Sequence, residues 1–160
     1  MDGKTVRESA IVMAQMMNPE DANPVGNVHG GIIMRLIDTA AGAAAVRHAR
    51  KIAVTASIDR LDFISPIYIG DVVSFKASVN LVGRTSMEIG VRVEAETLLT
   101  GVTRKAASAY LTYVALGKDG HPVEIPPLIL ETDEDIRRNC EANARREMRA
   151  QAKKKENYPC

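Results

Sequence analysis

The sequence predicts an α+β fold, one long helix packed against a five-stranded antiparallel sheet. Two patterns carry that expectation. From Gly30 runs a proline-free, alanine-rich stretch, GGIIMRLIDTAAGAAAVRHAR, whose length and composition favour a helix over a strand. Downstream, the apolar period changes to two, the mark of antiparallel strands with one wet face. A third observation sets the scale. The chain has 160 residues, 46% hydrophobic and 26% charged, ample for one core and too short for two ordinary domains.

The elements follow in order. Val6 to Met17 is apolar and partly alternating and stops at Asn18-Pro19, which predicts a first strand with an irregular start. Asn18 to His29 holds two prolines and a glycine and reads as a loop. Between Ile32 and Val46 only Arg35, Asp38 and Thr39 are polar, so the helix is expected to be buried on nearly all sides. Four strands come next. Ile52, Val54, Ala56 and Ile58 alternate with polar or small residues, as do Val73, Phe75, Ala77, Val79 and Leu81, and then Met87, Ile89, Val91, Val93 and Ala95. Gly83-Arg84-Thr85 is a tight link between the second and third of these, and Ile64 to Asp71 is a turn-bearing connection. Residues 106–116 are apolar on both faces, as a central strand would be.

Residues 6–118 are thus expected to form the folded domain and 119–160 a charged helix or partly ordered tail. Ile136 to Lys155 carries eight Arg or Lys against Glu141 and Glu147, a local +6, which leaves about −5 for the rest of a chain whose net charge is +1. That balance excludes a strongly basic nucleic-acid binder. No apolar run reaches the ~18–20 residues a bilayer span needs, and MDGKTVRESAIV lacks the order of a secretory signal. The expectation is a cytoplasmic protein without nucleic-acid or membrane partners. Cys140 and Cys160 make neither a disulfide framework nor a metal cage, and His29, His48 and His121 are scattered, so no metal is expected. With no Trp, two Phe and four Tyr, the core has few large anchors, a hint that burial is shared with a partner subunit.

One helix against five antiparallel strands is the hotdog architecture. The stretch DANPVGNVHGGIIMRLIDTAAG (Asp21 to Gly42) closely resembles the acyl-CoA thioesterases of that fold, in the cytosolic acyl-CoA hydrolase branch. TASIDRLDFISPIYIGDVV (Thr55 to Val73) and VGRTSMEIGVRVEAE (Val82 to Glu96) resemble the same family, and the likeness spans Ser9 to Leu116. The resemblance implies hydrolysis of a fatty acyl-CoA to free acid and coenzyme A, with no cofactor beyond the coenzyme A of the substrate. It places Asn23 and Asp38 in one active site across a dimer interface. Two-repeat eukaryotic relatives divide those groups between repeats; this chain keeps both, which implies symmetric sites between identical subunits, assembled further into a trimer of dimers, a homohexamer.

The residues carry chemistry suited to that role. On a helical wheel Asp38 sits beside Met34, Ala41 and Ala45, a poorly solvated place that suits a general base for water or a carboxylate nucleophile forming an anhydride. The plainer alternative is an aspartate solvated at a helix edge or paired with Arg35 or Arg60. Asn23 can hold a water or the thioester oxygen through an amide that donates and accepts, or it is a turn residue making Asx bonds. Gly30 and Gly31 open the helix, where the Gly31 N–H is a candidate oxyanion donor. His29 assists, or caps the helix. Arg84, Thr85 and Ser86 in the hairpin suit phosphates, with Arg104 and Lys105 alongside. The basic stretch 137–155 clamps the adenosine phosphates or is a solvated helix face. Cys140 has no histidine near it, and no Gly-x-Ser-x-Gly elbow occurs, so thiol and serine nucleophiles are excluded. Two rival readings remain: a non-catalytic acyl-CoA-sensing module, and a hotdog dehydratase or hydratase with His29 facing an acid.

Overall fold

A computed structural model describes residues 1–156; Cys160 and the last residues of the expected tail lie outside them. The order is β1 (Lys4–Thr5), α1 (Val6–Ser9), β2 (Ile11–Met16), a 3-10 turn (Pro19–Asp21), α2 (Gly30–Ala49), β3 (Ile52–Phe63), β4 (Val72–Val82), β5 (Ser86–Thr97), β6 (Val102–Leu116), β7 (Leu128–Ile129) and α3 (Asp133–Glu156). β2, β4, β5, β6 and β3 form, in that order, one antiparallel sheet with α2 against one face. β1 and β7 form a small parallel pair. This is the expected hotdog fold.

The period of two explains the core. Val73, Phe75 and Val79 of β4, Ile89 and Val93 of β5, and Leu111 and Tyr113 of β6 are buried on the helix side. They meet Ile33, Leu36 and Ile37 of α2, and the buried Ala40, Ala41, Ala44 and Ala45 contribute small side chains to the same contact. Removing one such large side chain, for instance by Leu111→Ala, costs about 2–5 kcal/mol. The strand 106–116 lies inside the sheet, between β5 and β3, as its pattern requires.

Three expectations need correction. Val6–Ser9 is a helical turn instead of strand, because Thr5 and Glu8 form a reciprocal capping box that closes it. Buried Ser9 then meets the ring of buried His48 at 3.2 Å, and the other ring nitrogen lies 2.9 Å from the Pro126 carbonyl oxygen. Burial pushes the His48 imidazole below its ordinary pKa. Second, α2 is buried on one side only: Met34 and Val46 are 42% and 44% exposed. Third, the apolar residues of β3 do not face the core as a set. Two bulges break its register against β6, so Ile52 and Val54 point away from the helix. Ile58 and Phe63, opposite the inward Leu111 and Ala107, lie on the helix side yet are 41% and 53% exposed. β3 is an edge strand, and no strand among the described residues pairs with its free side.

Of the charged helix and the partly ordered tail expected after residue 119, residues Asp133–Glu156 are a helix, α3. It lies on the outer face of the sheet through a set of ion pairs. Arg145 and Arg149 reach the buried Glu88 of β5 at 2.7 and 3.0 Å, and Arg149 also pairs with Asp59 at 2.9 Å. Arg145 stacks on Tyr110 at 3.7 Å, Arg138 donates to Ser78, and Asn139 donates to the Asn80 carbonyl. No helix among the described residues is long and apolar enough to cross a membrane.

Candidate active site

The start of α2 is built by its loop. His29 is the N-cap, and its Nδ1 accepts the Gly31 N–H at 2.9 Å. The ring therefore caps the helix with that nitrogen unprotonated. The Gly31 N–H, the expected oxyanion donor, is thereby occupied, while the Gly30 N–H has no partner among the described residues. Gly30 lines a cavity of about 360 Å³ with Asn23, Asn27, Ile33, Phe63 and Ser65. A Cβ on Gly30 would come within 3.3 Å of the Phe63 ring, so glycine is what lets that ring cover the helix start.

Asn23 does make the Asx bonds of the plainer reading. Its Oδ1 accepts the N–H groups of Val25 and Asn27 at 3.0 and 3.1 Å. That fixes which end of the amide is which: the oxygen is spent in the loop, and the NH2 group has no partner among the described residues. Asn23 can donate into the cavity and cannot accept from it.

Asp38 lies eight residues beyond Gly30 on α2, about 12 Å at the helical rise, and does not line that cavity. It is half-buried. Its Oδ1 accepts the hydroxyls of Thr55 on β3 at 2.6 Å and Tyr113 on β6 at 2.7 Å. No partner of Oδ2 occurs among the described residues. Neither expected cation pairs with it; Arg60 pairs with Asp62 instead. The Tyr113 phenol is held well above its ordinary pKa, first by burial and then by the carboxylate beside it. Within one protomer, Asn23 and Gly30 therefore share a cavity while Asp38 stands apart.

The expected phosphate ligands separate. Arg84 is exposed on the β4–β5 hairpin beside half-buried Thr85 and Ser86. Arg104 pairs with Ala95, at the other end of β5 from Ser86, roughly 30 Å away at the strand rise. Its guanidinium is also committed: it pairs with buried Asp71, donates to Thr97 and Pro66, and lies over Tyr68. Lys105 opens on the outer face. The antiparallel return of the hairpin is the reason these groups cannot lie alongside Arg84. On α3, Arg137, Arg138, Arg145 and Arg149 are held in ion pairs; Arg146 and Lys153 are in none among the described residues. No group of three metal-ligating side chains occurs among the described residues.

Comparison with known proteins decides the family. Over 81% of this chain and 76% of its own length, an acyl-CoA thioester hydrolase of Bacillus subtilis, YkhA, is 42% identical. The chain belongs to the hotdog acyl-CoA thioester hydrolases. The Thioesterase superfamily profile matches residues 25–102 of this hydrolase. The cytosolic acyl coenzyme A thioester hydrolase of Rattus norvegicus is 36% identical over 88% of this chain, which spans 38% of that longer enzyme. Among solved structures, an apo-hexameric acyl-CoA thioesterase superposes with a TM-score of 0.92 at 36% identity, covering 95% of this chain and 97% of that one. The acyl-CoA hydrolase of Staphylococcus aureus, solved with butyryl coenzyme A and coenzyme A, gives 0.89 at 33% identity, covering 96% and 93%. That enzyme was also solved as aspartate-, asparagine- and threonine-to-alanine variants.

Sequence reasoning missed Thr55 and Tyr113. For Tyr113 the alternation of β6 is a usable signal, since a buried hydroxyl among apolar neighbours needs a polar partner; exposed Thr55 carried none, because the apparent alternation of β3 set it opposite Ile52, Val54 and Ile58 and the bulges lie beyond it.

Proposed function

We propose that this hydrolase cleaves fatty acyl-CoA to free fatty acid and coenzyme A at sites shared between two subunits, with Asp38 from one and Asn23 and Gly30 from the other. The observation that carries this reading is the asymmetry at Asp38: one carboxylate oxygen holds two hydroxyl donors, and the other is open. Oδ2 takes a proton from water as the water attacks the thioester carbonyl carbon, or attacks that carbon itself to give an anhydride that water then opens. In either route the carbonyl oxygen gains negative charge. The Gly30 N–H and the Asn23 amide N–H are the free donors suited to hold it. The C–S bond then breaks, and coenzyme A leaves as the thiolate.

The Staphylococcus aureus variants support the assignment. The asparagine, aspartate and threonine replaced there are separated by 15 and then 17 residues, and so are Asn23, Asp38 and Thr55. The exposed strip of Met34, Val46, Ile58 and Phe63 is where a second subunit would sit, bringing its Asn23 cavity to Asp38. The hexameric relative supports assembly into a trimer of dimers, and the name of the rat relative supports a cytosolic setting. For the coenzyme A phosphates, Arg84 with Thr85 and Ser86 is the available group. The sensing module is disfavoured because Asp38 is half-buried and held by hydroxyls, without a cation to neutralise it. The dehydratase reading loses its pair, since His29 meets no carboxylate among the described residues.

The test is coenzyme A release from acyl-CoAs of C2 to C18 and one aromatic ester, with an enzyme-only blank because Cys140 is exposed. Asp38→Asn is expected to lower kcat about 10²–10⁴-fold with coenzyme A binding retained. Full turnover in that variant would falsify the mechanism.

A further inference from the structure

We infer that Tyr113 is the positioning residue of the reaction: from β6 it reaches across the core to hold the Asp38 carboxylate and the backbone at that turn of α2 in one orientation. The inference rests on the reading of Asp38 given above and deepens it.

The geometry is specific. The Tyr113 hydroxyl lies 2.7 Å from Asp38 Oδ1 and 2.8 Å from the Asp38 carbonyl oxygen, so one hydroxyl addresses both side chain and backbone of the same residue. Tyr113 is 2% exposed, its ring locked in the sheet–helix core. One helical turn beyond Asp38, Gly42 borders this contact. A Cβ there would stand 3.4 Å from the Tyr113 hydroxyl, an ordinary contact, and a side chain larger than alanine's would crowd it.

The chemistry follows from which oxygen is bound. Tyr113 and Thr55 both donate to Oδ1, which fixes the carboxylate plane and leaves Oδ2 as the oxygen that can act. Because burial and the neighbouring carboxylate hold the phenol well above its ordinary pKa, Tyr113 is protonated, and a donor, across the neutral range.

The experiment is Tyr113→Phe, Asp38→Asn and the double variant, with kcat, KM and melting temperature measured for each. Expected for Tyr113→Phe are a kcat lower by about 10- to 100-fold, the range one hydrogen bond to a charged group commands, a KM near that of wild type, and no further loss when it is added to Asp38→Asn. A purely structural tyrosine would lower the melting temperature and leave kcat of the folded enzyme in place. Unchanged kcat in Tyr113→Phe, with Asp38→Asn inactive, overturns this inference alone. An active Asp38→Asn removes the reading beneath it. Should Tyr113→Phe not fold, wild-type chain grown with fluorotyrosine, a stronger donor, is expected to change kcat with KM unmoved; an unmoved kcat there overturns the inference equally.

Discussion

Asn23 answers two demands with one amide. Its oxygen closes the loop by accepting from Val25 and Asn27, and its nitrogen is left for a ligand. The two roles therefore separate by substitution. Asn23→Asp keeps an oxygen for both loop N–H groups but replaces the donors with negative charge, where the proposed mechanism develops an oxyanion. The melting temperature is expected to stay within a few degrees of wild type while kcat falls about 10²–10³-fold, as for loss of one oxyanion donor. A variant that unfolds the loop and loses activity only in proportion to unfolding would return Asn23 to a turn residue. The same separation explains why His29 is better seen as a cap. With Nδ1 accepting from Gly31, the neutral ring carries its proton on Nε2 and has no basic nitrogen left for a dehydratase.

Among the elements, legibility followed the number of neighbours. β4, β5 and β6 each have a strand on both sides and a helix over one face, so their period of two is written plainly in Val73 to Leu81, Met87 to Ala95 and residues 106–116. β3 has one strand neighbour, two bulges and an uncovered side, and there the pattern misled about which residues are buried. The turn Val6–Ser9 was readable in principle from Thr5 and Glu8, but its apolar flank suggested strand. Placement of α3 was not legible, because its anchor is a single glutamate in a strand. Glu88 looks like any wet-face residue until Arg145 and Arg149 arrive from 57 and 61 positions away. Since α3 buries little apolar surface besides Ala142, that network is its main hold. Glu88→Ala leaves two arginines without their buried partner and is expected to cost about 3–5 kcal/mol, with α3 the first segment to lose protection in amide exchange. Protection of α3 equal to wild type would show that the helix is held by something other than Glu88.

At the scale of the whole molecule, the groups assigned to the proposed site do not meet within one protomer. Asp38 stands at the edge of the helix–sheet contact, held by Thr55 and Tyr113, and Asn23 and Gly30 line a cavity about two helical turns away. The family resemblance divided these groups between subunits; the geometry of one protomer supports that division. If sites are shared, two dead variants can repair one another. An Asn23→Ala subunit still offers Asp38, and an Asp38→Asn subunit still offers Asn23, so a mixed dimer holds one site with both groups intact and one with neither. Unfolding the two variants together and refolding them is then expected to restore about a quarter of the wild-type rate, since random pairing makes half the dimers mixed and each has one intact site of two. Sites confined to single subunits predict instead no rate above the sum of the two variants, because every subunit would carry one lesion. Ile58→Asp supplies the companion experiment. A charge on the uncovered edge strand should split the assembly, seen as a smaller species by light scattering, and remove turnover while the separated subunit keeps its folded spectrum. A monomer that still turns over would place Asn23 and Asp38 in one chain's site and leave β3 free for another role.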